Sequence, residues 1–183
     1  MTLGLAKTKT NGGAVAGVAR GFAAGVIGTT GMTALQELSI LARKVRSNGY
    51  APERREREDD PWSHAPAPAQ VAKRILETAF HQEVHADRIK LLTNLTHWSY
   101  GTSLGVLYAV VHRKLPFRSR PLVGGPLFGT GAWAMSYATL VPMGLYEPPW
   151  RYPAKTIAKD LSYHLVFGAG CAAGYRVLSR RSR

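Results

Sequence analysis

The stretch GAVAGVARGFAAG, residues 13–25, sets Gly13, Gly17, Gly21 and Gly25 at an unbroken four-residue spacing. On an α-helix that spacing stacks the four glycines on one face. Inside a water-exposed helix each glycine costs about 1 kcal/mol relative to alanine. A glycine face also lets a second backbone come close, and in lipid such packing, rather than water expulsion, drives helix association. Reading outward, Gly101 and Gly105, Gly125 and Gly129, and Gly170 and Gly174 repeat the spacing in three further segments. Glycine is common enough there that one such pair per segment arises by chance roughly half the time. The run in the first segment is therefore the most specific, and its Gly13–Gly25 face is expected to press against another backbone.

These segments lack charge. There is no Asp, Glu, Lys or Arg in 21–36, 91–112, 121–146 or 161–175. Runs of about 20 apolar residues match the hydrocarbon core of a bilayer. The expected fold class is therefore all-α, an integral membrane bundle of four transmembrane helices, with one amphipathic helix in the first loop. The expected division of the chain is a polar N-terminal tail (1–12), a first transmembrane helix with its extension (13–46), a disordered charged and Pro-containing linker (47–68), the amphipathic helix (69–90), transmembrane helices two to four (91–178) and a basic tail (179–183). Arg20 and Glu37 bracket about 25 Å of helix in the first span, so both side chains would snorkel to opposite interfaces. Pro142 should end or kink the third span.

The net charge is +13, and the basic residues flank the uncharged runs: Arg43, Lys44 and Arg46, then Arg113, Lys114, Arg118 and Arg120, then Arg176, Arg180, Arg181 and Arg183. That placement suits the anionic headgroups of a lipid bilayer. The chain carries no helix-turn-helix, zinc-finger or RNA-binding signature, so nucleic acid is not an expected partner. Cys171 is the single cysteine, which excludes a disulfide within one chain and reads as a small packing residue. The N-terminus lacks a secretory cleavage pattern. In a membrane, the basic balance of the short loops favours both termini in the cytoplasm.

The segments also hint at a duplicated helical hairpin. Ser99-Tyr100 followed by Leu104-Gly105 has its counterpart in Ser162-Tyr163 followed by Phe167-Gly168, and Gly28-Thr29 has one in Gly129-Thr130. Chance similarity among glycine-rich helices is the competing explanation.

Polar candidates gather toward the side of the long loop. Glu37, His97, Asp160 and His164 form a candidate intramembrane polar site, since ionisable groups at membrane depth are functional by default. Carboxylate and imidazole together relay protons or hold a cation. The bland alternative is an interface of charges and aromatic residues at helix ends, and it carries more weight for every member except the deeper His164. Glu77, His81 and His85 follow one another at four-residue spacing, a weak candidate metal set on one helix face. Gln82 stands where a zincin needs its glutamate. No catalytic constellation and no cofactor motif is recognisable.

The Gly-Thr run near Gly28 and the Tyr-Gly pattern near Tyr100 resemble those of small multi-pass bacterial inner-membrane proteins classed only as domains of unknown function. The resemblance implies location and fold and carries no catalytic residues. Three functional readings stand at this point. The first is a non-enzymatic membrane subunit that self-associates or binds a membrane-protein partner through its glycine faces. The second is a small transporter or channel using Glu37, Asp160 and His164 as a cation or proton site. The third is a membrane enzyme or metal binder using Glu77, His81 and His85.

Overall fold

The computed structural model describes residues 8–47, 60–112, 114 and 120–180. Five α-helices account for most of them: α1 (Thr8–Arg46), α2 (Ala67–Ala79), α3 (Ile89–Val111), α4 (Pro121–Leu140) and α5 (Ala154–Arg180). The fold is a helical bundle. α1 packs against α3 on one side and α5 on the other, α4 packs against α5, and α2 lies on α3.

No helix among the described residues is long and apolar enough to cross a membrane. The expectation of four transmembrane helices is corrected accordingly. The physical reason is that an uncharged run is not the same as an apolar one. α3 carries Thr93, Asn94, Thr96, His97, Ser99, Thr102 and Ser103 within its uncharged stretch, and α4 interleaves its apolar residues with Gly, Pro, Ser and Thr. Each hydroxyl, amide or ring nitrogen reduces the gain of transfer to hydrocarbon without contributing a formal charge.

Local chemistry sets the helix ends. Arg43, Lys44 and Arg46 occupy the last turn of α1, where cations complement the carbonyl end of the macrodipole. α4 opens on Pro121, whose missing N–H is an orphan at that position in any case. It closes in a Schellman-type turn: Leu145 N–H donates to the Leu140 carbonyl at 3.0 Å, and Gly144 N–H to that of Val141 at 2.9 Å. Gly144 has φ +68°, a conformation that only glycine adopts without strain. α2 stops at Ala79, and the chain leaves it through His81 at φ 52°, the left-handed region. The helix foreseen over 69–90 is therefore shorter and ends before both histidines.

Two cores form. The main one joins all four long helices: Ala24 of α1, Tyr108 of α3, Ala132 of α4, and Phe167, Cys171, Ala172 and Tyr175 of α5. The second pins α2 to α3 through Trp62, Ala65, Ala69 and Leu92. Trp62 sits in a 3₁₀ turn, Pro61–His64, capped by Asp60, which accepts from the Trp62 N–H at 3.1 Å. This part of the expected disordered linker is folded; residues 48–59 lie outside the described residues.

Candidate functional site

Three antiparallel seams organise the bundle, each advancing four residues per step. Along α1 and α3 the steps run from Gly21 against Ala109, through Gly25 against Gly105, to Thr29 against Gly101. Along α1 and α5, Ala24 faces Gly174 and Gly28 faces Gly170 and Cys171. Along α4 and α5, Gly125 faces Gly168, Gly129 faces His164, and Trp133 reaches Asp160. The backbones nearly touch. A Cβ added to Gly25 would lie 2.8 Å from Thr102 Cα, and one on Gly125 would lie 2.8 Å from the Gly168 carbonyl oxygen. One on Gly105 would fall on the backbone of Gly25, and one on Gly168 would fall on that of Gly125.

Eight of the ten glycines singled out in the sequence, Gly21, Gly25, Gly101, Gly105, Gly125, Gly129, Gly170 and Gly174, line these seams. Gly13 and Gly17 have nothing within 4 Å of where a Cβ would stand. Gly28 and Gly168, which the sequence shows only in the duplication pattern and not in the packing set, also belong to the seams. Gly28 follows Gly25 by one short turn, a signal that a strict four-residue search passes over. The two hairpins use glycine alike: Gly105 wedges between Gly21 and Gly25, as Gly168 does between Gly125 and Gly129. That equivalence aligns Gly21 with Gly125, whereas the sequence pattern aligned Gly28 with Gly129.

The polar candidates part company. Glu37 is exposed on the outer face of α1. Asp160 and His164, one turn apart on α5, lie together at the loop end of the bundle and are largely covered. Trp133 Nε1 donates to Asp160 Oδ2 at 3.1 Å. Tyr137 stands beside the same carboxylate, and its hydroxyl pKa is raised by burial first and by Asp160 second. Tyr146 is raised by the same two causes, and its ring packs on Tyr137 with centroids 5.3 Å apart. His164 Nδ1 donates to the Asp160 carbonyl at 2.9 Å and lies 3.8 Å from Asp160 Oδ1. Because a carbonyl oxygen only accepts, Nδ1 carries a proton in this geometry. His97 of α3 comes near enough to His164 to feel it. Its pKa is lowered, chiefly by burial and then by the neighbouring imidazole.

The Asp160 carboxylate is therefore occupied by protein donors from α4, and the assembly is a buckle joining α4 to α5. Sequence reading found Asp160, His97 and His164 but missed Trp133, 27 positions away, for which no local pattern exists. Nearby, Ser39 and Tyr163 join α1 to α5 through hydroxyls 2.6 Å apart.

The metal candidates are dispersed. Glu77 is paired with Lys73 at 2.9 Å, whereas His81 and His85 are exposed beyond the end of α2. Their spacing brings ligands together only on a helix, and here there is none. Among the described residues no group of three His, Cys, Asp or Glu side chains could hold a metal ion. Cys171 is fully buried, and burial pushes its thiol up to about 12, which keeps it protonated and unreactive.

In comparisons with family models, curated proteins and solved structures, nothing matched this chain.

Proposed function

We propose that the chain is a non-enzymatic helical-bundle subunit that pairs with a second copy through the outer face of α1. The observation carrying this reading is the number of large apolar side chains left outside. Gly, Ala, Thr and Cys line the close contacts of the seams beside buried Tyr108, Phe167 and Tyr175, while many large apolar residues point outward. Along the C-terminal half of α1, Leu38 is 61% exposed, Leu41 57% and Val45 71%. Spaced by three and four, they form one stripe of about two turns. A groove lined by Ala34, Glu37, Leu38, Ile40, Leu41 and Lys44 runs along it. Contiguous apolar surface of this kind marks an interaction face.

Charge favours a second copy as the occupant. Two such helices crossing antiparallel about Leu41 bring Glu37 of each copy beside Lys44 of the other, around a centre of leucines. Such a contact is isologous, the commonest closed arrangement. The non-enzymatic half of the reading draws on the Asp160 carboxylate, which accepts from Trp133 and so ties α4 to α5.

Light scattering on the purified chain is expected to give a dimer, and Leu41→Cys is expected to cross-link it while buried Cys171 stays silent. Leu38→Asp with Leu41→Asp should yield a folded monomer. Glu37→Lys should weaken the dimer, and adding Lys44→Glu should restore it. A monomer at every concentration, or a dimer indifferent to all four changes, overturns the proposal.

A further inference from the structure

The two ends of the bundle differ in charge. Because the packed helices alternate in direction, the start of α1, the end of α3, the start of α4 and the end of α5 share one end. The acidic residues of the described segments lie elsewhere: the sequence has no Asp or Glu in 1–36, 88–146 or 161–183. The described residues of this end present Lys114, Arg120, Arg176 and Arg180, all exposed, with Arg20 half-buried. Among the described residues this cationic cap holds no Asp or Glu, and such a patch attracts an anionic surface.

The same end exposes apolar side chains among the cations. Leu122, in the first turn of α4 and two residues from Arg120, is 90% exposed. Val110 near the end of α3 is 63% exposed, and Val177, beside Arg176, is 51% exposed. Following the seam registers, α1 runs on past the last turns of α3 and α5. Its early turns carry Val15, 68% exposed, and Val18, 49% exposed, with no charge between Lys9 and Arg20. Interleaved cations and solvent-facing aliphatic groups suit a lipid interface, where apolar groups enter the acyl boundary and cations meet phosphates. A nucleic-acid surface would engage the cations and leave Leu122 and Val15 in water.

We infer that this basic end docks on an anionic phospholipid surface, with the start of α1 and Leu122 entering the headgroup region and no helix crossing the bilayer. The docking end is opposite the Leu41 stripe, so a dimer formed there would leave it available.

The test is flotation of the full-length chain with phosphatidylcholine vesicles, with and without phosphatidylglycerol. The chain is expected to float with the anionic vesicles only and to be released by high salt, because exposed charge interactions are screened. Arg176→Glu with Arg180→Glu should weaken binding by roughly thirtyfold or more, the scale expected for two cations at such a surface. Leu122→Ser, at a side chain already in solvent, should weaken it several-fold with an unchanged circular dichroism spectrum. Equal binding to neutral vesicles, indifference to both changes, or binding to duplex DNA in preference to anionic vesicles overturns the inference.

Discussion

Gly17 and Gly21 stand one turn apart on one helix face, and the structure treats them differently. At Gly21 a Cβ would lie 2.7 Å from Ala109 Cβ and 2.8 Å from Val106 Cα. At Gly17 it would meet nothing within 4 Å. Identical spacing thus serves two roles in one run. The second half, Gly21 and Gly25, brings α1 against α3; the first half, Gly13 and Gly17, extends beyond the seam. Spacing identifies a face, and only the partner helix decides how much of that face is used.

The sharpest way to break this contrast is to fill the tightest wedges. Gly105→Ala and Gly168→Ala each place a methyl on the backbone of a facing glycine. The helices must separate, and a loss of about 3 kcal/mol is expected, at the upper end of overpacking effects. Equilibrium denaturation by circular dichroism measures it.

A smaller loss is expected at the polar buckle. Asp160→Ala removes the acceptor of the Trp133 indole N–H. Trp133 is half-buried, so the unpaired donor should cost about 1 kcal/mol, the low end of the range for buried donors, and Trp133 emission should shift as α4 loosens from α5. Unchanged stability would mean that the buckle does not hold these helices.

The next effect is a pH dependence at the same end. The folded pKa of His97 lies below its ordinary value of 6.5, because burial and His164 both oppose its charge. The unfolded chain therefore binds more protons as pH falls below about 6.5, and stability falls with it through the lowered folded pKa. His97→Gln should flatten that part of the stability profile. A profile as steep in the variant as in the parent would place the titration elsewhere.

Sequence alone made much of the fold legible. Each of the four long helices is built on one of the uncharged segments, because glycine and apolar residues accumulate where helices pack, but α1 and α5 run well beyond 21–36 and 161–175. Pro142 follows the end of α4 at Leu140, as its missing N–H requires. Membrane spanning does not follow from the uncharged runs, because absence of charge is not apolarity, and the Thr, Ser, Asn and His residues of α3 weigh against it. The short α2 was misread at its far end, where Gln82, Glu83 and His85 are compatible with helix but the chain turns at His81. Within the candidate site, Asp160 and His164 were legible as a one-turn pair. Trp133 was not, since its position follows from the four-residue stepping of α4 past α5, which begins at Gly125 against Gly168.

The central claim is that close backbone seams, rather than glycine spacing as such, hold the bundle together. Denaturant unfolding of Gly17→Ala beside Gly21→Ala tests it most directly, because the two sites share helix, face and substitution. The account predicts opposite signs. Gly17→Ala should stabilise by up to about 1 kcal/mol through helix propensity, and Gly21→Ala should destabilise by about 1–3 kcal/mol through overpacking. Equal shifts of the same sign at both positions would contradict it.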